Sequence, residues 1–208
     1  MDQHSVSLKQ TADHYLLRGL FCEEVGLWNG KMGMSLFFFL LSRHTNNCWY
    51  EEFAGELLDD VCTNLSQYCP ITFSDGLCGI GWAIEFLKKE GFIEGDTDDI
   101  LEEVDKKVME RDVRRITDAS LETGLAGIAT YVYTRLDSHR DNDKILLFDG
   151  RYLEELDLSC DRLHIDRCTS CYDVHSIWEK VISAFKAESY LEEKSWKKGL
   201  MVLSKKNG

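Results

Sequence analysis

Five residues in the last third of the chain carry metal-ligand chemistry at close spacing: Cys160, His164, Cys168, Cys171 and His175. Cys168 and Cys171 enclose two residues, the spacing of one arm of a tetrahedral zinc site, and either histidine would help complete it. A site closed by side chains in this way would be structural rather than catalytic. The remaining spacings are irregular, so the same residues also read as a cysteine-rich surface loop of reduced thiols. A second constellation is a pair of carboxylates, Asp75 and Glu122, each beside a glycine motif. Facing one another across a common mouth, they would supply a general acid and a general base. Taken singly, they are ordinary helix N-cap or first-turn residues. Trp28, Asn29, Ser74 and Thr123 occupy matching places beside the motifs and would share that rim as binding residues. Trp28, Trp82 and Tyr131 would either form an aromatic floor for a peptide or sugar or belong to the core. The sequence contains no phosphate loop, serine-hydrolase elbow or HExxH zinc-protease motif.

The elements that must position these residues are repeated. Three segments align without gaps: Asn29-Gly30-Lys31-Met32-Gly33-Met34-Ser35, Asp75-Gly76-Leu77-Cys78-Gly79-Ile80-Gly81 and Thr123-Gly124-Leu125-Ala126-Gly127-Ile128-Ala129. Each runs into an apolar stretch, and the first glycines stand 46 and 48 residues apart. A period of that size fits one helical hairpin per repeat. The stretches after the motifs (34–41, 80–87 and 128–136) are apolar on nearly all sides and predict buried inner helices. The stretches between them predict amphipathic outer helices. Residues 50–65 place Phe53, Leu57, Val61 and Leu65 on one face, and residues 97–116 do the same with Ile100, Val104 and Val108. Thr97 or Asp96 offers the second of these an N-cap. Residues 7–24 predict a preceding outer helix, and 152–157, 174–187 and 190–203 predict helices after a polar loop at 137–144. The fold class expected is therefore all-α, with helical hairpins repeated over residues 1–136. Residues 137–208 add the Cys/His loop and C-terminal helices that pack on the same domain and cap the array.

The six motif glycines have an expected structural use. Gly30, Gly76 and Gly124 would stand at sharp turns where a positive φ is cheap only for glycine. Gly33, Gly79 and Gly127, one turn later, would let neighbouring inner helices approach closely.

Composition narrows the functions. A formal net charge of −13 repels nucleic-acid phosphates and anionic membranes. The longest apolar run, residues 36–41, is far short of a membrane span. The first ten residues are polar and unlike a secretory signal. The expectation is a cytoplasmic protein with no nucleic-acid or membrane partner, whose eight cysteines are mostly reduced thiols.

The glycine motifs and apolar inner helices over residues 7–136 resemble those of the lanthionine synthetase C-like (LanC-like) family. That resemblance implies an α/α toroid of inner and outer helices. It also implies a peptide substrate, in which zinc activates a cysteine thiolate for addition to a dehydrated Ser or Thr, giving a thioether ring. This chain is about half the family's usual length, so the toroid would be partial, or completed by a second copy or another protein. In the family, zinc ligands stand immediately before a motif glycine as Cys-x-Gly and Cys-His-Gly. The corresponding pairs here are Trp28-Asn29, Ser74-Asp75 and Glu122-Thr123, with no Cys or His among them. The resemblance therefore implies binding or modification of a precursor peptide without the family's zinc site. A carbohydrate-active α/α domain using Asp75 and Glu122, and a non-catalytic adaptor, are the other readings.

Overall fold

The structure, a computed structural model, describes residues 3–65, 69–139, 148–166, 174–187 and 195–204. All regular secondary structure among them is helical. The α-helices are α1 (Gln3–Phe21), α2 (Lys31–Thr45), α3 (Cys48–Thr63), α4 (Leu77–Lys89), α5 (Asp98–Met109), α6 (Leu125–Ser138), α7 (Gly150–Arg162), α8 (Val174–Ala187) and α9 (Trp196–Ser204). The all-α class expected from the repeats is the class observed. The chain divides into two compact units, Met1–Asn64 with Trp178–Gly208, and Leu65–Ile177.

In the first unit, α2 is the inner helix. Its residues from Met32 through Ser42 are all buried, as an all-round apolar segment requires. It packs on α3, and α1 and α9 also contact it. Phe38 meets Phe53 edge to face at 4.8 Å, and buried Ser35 Oγ donates to the Ala54 carbonyl at 2.8 Å. The buried stripe of α3 is Ala54, Leu57, Leu58 and Val61, while Glu51, Glu52, Glu56 and Asp59 face water. Asn47 caps this helix by accepting from the Trp49 N–H. On α9, a Cβ at Gly199 would lie 2.3 Å from the Phe37 ring, so this glycine sets how closely α9 lies on α2.

In the second unit, α4 and α6 are the inner helices and lie against each other, with α5 on α4 and α7 on α6. Every residue from Leu77 to Leu87 is buried. The outer helix α5 departs from the expected pattern. It ends at Met109 rather than running to residue 116, because Asp112 Oδ1 accepts from the Arg114 N–H and starts a separate 3-10 turn, Val113–Arg115. Its buried stripe is Leu101, Val104, Asp105 and Val108, and Ile100 is 38% exposed. The helix expected at 152–157 extends over the whole of α7, capped by Asp149, which accepts from the Arg151 N–H.

Candidate functional site

The three motif loops are built alike. Gly30, Gly76 and Gly124 are the N-caps of α2, α4 and α6, with φ of −125°, −130° and −103°. These are extended conformations open to any residue, so the expected positive φ is not the reason for glycine. The reason is space. A Cβ would stand 2.6 Å from the Glu24 carbonyl oxygen at Gly30, 2.1 Å from that of Pro70 at Gly76, and 2.4 Å from that of Asp118 at Gly124. Each of these carbonyls lies six residues before its glycine. Each accepts the first N–H of the helix, from Lys31 at 2.9 Å, Leu77 at 2.8 Å and Leu125 at 2.8 Å. The loop thus folds back over the helix start and satisfies an N–H that would otherwise lack a partner. Only a residue without a side chain lets the two strands of chain approach so closely.

The second glycines continue the same packing. A Cβ at Gly33 would meet the Leu27 carbonyl oxygen at 2.3 Å and the Trp196 ring at 2.2 Å, and one at Gly127 the Leu121 carbonyl oxygen at 2.4 Å. They accommodate their own loops together with Trp196 of α9 at Gly33 and Phe73 of the adjacent motif loop at Gly127, rather than a neighbouring inner helix. Gly79 is buried within α4. The close approach of α4 and α6 falls instead on Gly81, where a Cβ would lie 2.3 Å from the Tyr131 ring.

The second and third motif loops are joined directly. The N–H groups of Phe73 and Ser74 both donate to the Glu122 carbonyl, at 3.0 and 2.9 Å. This places the loop of Asp75 beside the loop of Glu122, the two carboxylates expected on one rim. Ser74 is buried, Asp75 is half-buried, and Glu122 and Thr123 are exposed. Thr123 Oγ1 donates to Asp118 Oδ2 at 2.6 Å, and Ser120 N–H and Oγ reach the same carboxylate at 2.8 and 3.0 Å. Those hydrogen bonds, led by that of Thr123, hold the Asp118 carboxyl below the usual carboxylate range. Thr123 therefore organises its own loop. Asn29, in the first unit, is exposed, and its Oδ1 receives Lys197 Nζ at 3.4 Å.

The aromatic residues lie in the core. Trp28 is 6% exposed and packs on Phe185 at 4.8 Å, and Trp82 and Tyr131 are fully buried. Trp82 lies between Phe73 and Phe86, and its Nε1 has no acceptor among the described residues.

Of the Cys/His constellation, Cys160 is buried on α7, and His164, just beyond that helix, is exposed with a left-handed φ of 56°. Cys168 and Cys171 lie outside the described residues, as does the side chain of His175. Among the described residues, no three His, Cys, Asp or Glu side chains come together as a metal ion would require. The motif positions do not fit a zinc ion of the family type. Asn, Ser and Thr stand there in place of thiolate and imidazole, Trp28 is packed in the core, and Thr123 is engaged by Asp118.

A polar centre that the sequence reading did not identify lies inside the second unit. Arg135, on α6, is completely buried. Its Nη1 donates to Glu85 Oε1 at 2.6 Å, and its Nη2 to Asp98 Oδ1 and Asp105 Oδ2 at 2.9 Å each. Tyr131 Oη donates to Asp105, and Thr97 Oγ1 to Glu85 at 2.9 Å. Burial pushes the Asp105 carboxyl up against the pull of Arg135, and burial pushes the Tyr131 phenol well up. The signal available in the sequence was one charge in each of two apolar inner helices: Glu85 in WAIEFL and Arg135 in TYVYTRL. A lone charge in a buried helix needs a partner, and here each inner helix supplies the other's.

The family model for lanthionine synthetase C-like proteins matches residues 23–172, more than half of the chain. The matched span takes in all three motif loops and the buried Arg135 cluster. No curated protein and no solved structure matches.

Proposed function

The chain belongs to the lanthionine synthetase C-like family, and on that premise we propose that it binds a peptide at its motif loops without carrying out zinc-dependent thioether cyclisation. The Ser74–Glu122 backbone bond carries this reading. It sets edge to edge the two motif loops that carry Asp75 and Glu122, which supports a rim shared by their carboxylates. That rim bears negative charge on a strongly acidic chain, so a basic peptide is the ligand it favours. The donor set before each motif glycine lacks the sulfur and imidazole that hold zinc in the family's cyclases, which favours binding over catalysis. Zinc bound by the family's cyclases supplies thiolate activation, and no residue at these positions replaces that chemistry.

The test uses a short labelled peptide carrying lysines, a dehydroalanine and a cysteine. Fluorescence anisotropy reads binding, and mass spectrometry after thiol alkylation reads ring closure. The expected result is saturable binding, weakened by Asp75→Asn and Glu122→Gln together, with the peptide thiol still free after incubation with added zinc. Protein-dependent loss of the thiol would overturn the non-catalytic reading, and no binding would overturn the peptide reading. The adjoining loops of Asp75 and Glu122 also suit acid–base chemistry on a glycoside. Hydrolysis of a glycoside by the wild type and its loss in Asp75→Asn would replace the peptide reading with that one.

A further inference from the structure

Asn29 is followed by Gly30, the pairing in which a main-chain nitrogen most readily attacks the preceding side chain, because glycine puts no Cβ in the way. A chain can shield an asparagine by changing the residue after it. Here that route is closed, since a Cβ at Gly30 would lie 2.6 Å from the Glu24 carbonyl oxygen. Asn29 is exposed, so water reaches it. The nucleophile is available too. In the third motif the Gly124 N–H donates to the Ser120 carbonyl at 3.2 Å, whereas the Gly30 N–H donates to no backbone carbonyl among the described residues.

The electrophile is polarised. Lys197 Nζ donates to Asn29 Oδ1 at 3.4 Å, and the lysine is 6% exposed. Its ammonium lies 5.4 Å from the centre of the Phe185 ring and 5.9 Å from that of Trp196, so the aromatic packing of the first unit holds it in place. A cation fixed there stabilises negative charge that builds on Oδ1. The N-terminal end of α2, which begins at Lys31, favours an anionic nitrogen at Gly30.

We propose that Asn29 is a self-modification site, which deamidates in the folded chain with the help of Lys197; this goes beyond the peptide-binding reading. The Gly30 nitrogen gives its proton to hydroxide and bonds to Asn29 Cγ. The Cγ–Nδ2 bond breaks, and ammonia leaves with a proton taken from water, which restores the hydroxide. Water then opens the resulting succinimide. Addition at Cγ gives aspartate, and addition at the main-chain carbonyl gives isoaspartate. The net change consumes one water and releases one ammonia. The motif accommodates the aspartate product: the matching place in the second motif is Asp75, and that loop makes the same fold-back bond, Leu77 N–H to the Pro70 carbonyl at 2.8 Å. Aspartate at position 29 would give Lys197 a charged partner in place of a neutral amide.

The test incubates the full chain in mildly alkaline buffer at body temperature for weeks, both native and unfolded in guanidinium chloride. A short, mildly acidic tryptic digest and mass spectrometry then follow the peptide ending at Lys31, which gains the mass of –OH in place of –NH2. The native rate at Asn29 should equal or exceed the unfolded rate. Asn47 and Asn64, which cap the two ends of α3 and precede Cys48 and Leu65, should stay unchanged in the native chain. Lys197→Met should slow the native reaction several-fold and leave the unfolded rate as it was, a split that loss of packing alone would not produce. A native rate at Asn29 far below the unfolded one would overturn the proposal. So would a native rate that Lys197→Met leaves unchanged. If Lys197→Met does not fold, the native and unfolded rates of the wild type decide between the outcomes.

Discussion

The motif glycines are explained by the carbonyl each one faces, and this makes single substitutions informative. At Gly76 a Cβ would be 2.1 Å from the Pro70 carbonyl oxygen, and the backbone on both sides is held by the Leu77–Pro70 hydrogen bond. Gly76→Ala should therefore destabilise the chain by about 1–3 kcal/mol or more in urea unfolding. Gly55, in the middle of α3, is the control. A Cβ there meets nothing within 4 Å, so Gly55→Ala should stabilise by about 0.5–1 kcal/mol through helix propensity alone. Equal costs at the two sites would contradict the close-approach account. Arg135 offers a second residue-scale test. Its removal leaves the Glu85 and Asp105 carboxylates, 3% and 4% exposed, without their buried cation. Arg135→Met should cost about 3–5 kcal/mol, far more than a surface ion pair such as Lys107–Glu110.

At the scale of elements, the hairpin pattern was readable because apolar periodicity and burial have the same cause. The inner helices α2, α4 and α6 follow their motifs as expected, and α8 spans the residues its pattern indicated. The misreadings have local causes. Ile100 looked like a core residue because it sits four before Val104, but the buried stripe passes through Leu101 and Asp105 instead. Periodicity counts apolar residues, so a carboxylate made buriable by an arginine on another helix is invisible to it. The same blindness hid the Glu85–Arg135 pair, which lies fifty residues apart in sequence. The glycines were recognised as structural, but their reason, a carbonyl six residues earlier, depends on how each loop folds back. Cysteine reactivity follows from the elements too. Burial in α4 pushes the Cys78 thiol far up, whereas Cys48, at the start of α3, is exposed. A thiol reagent applied to the native protein should label Cys48 and spare Cys78 and Cys160 until unfolding, as peptide mapping would show.

For the molecule as a whole, the family relationship covers residues 23–172, and no helix among the described residues is long and apolar enough to cross a membrane. The net charge of −13 sets the kind of partner the chain attracts. Peptide binding at an acidic rim should weaken steeply as salt is raised, because exposed charges are screened over about 10 Å at 0.1 M ionic strength. Salt-insensitive binding would place the peptide elsewhere. The measurement that bears most directly on the central claim is the anisotropy titration of the lysine-containing peptide against wild type and the Asp75→Asn, Glu122→Gln double variant. Saturable wild-type binding, weakened at least several-fold in the variant, is the predicted result. Wild-type and variant curves that coincide would contradict the assignment of the motif-loop rim as the peptide site.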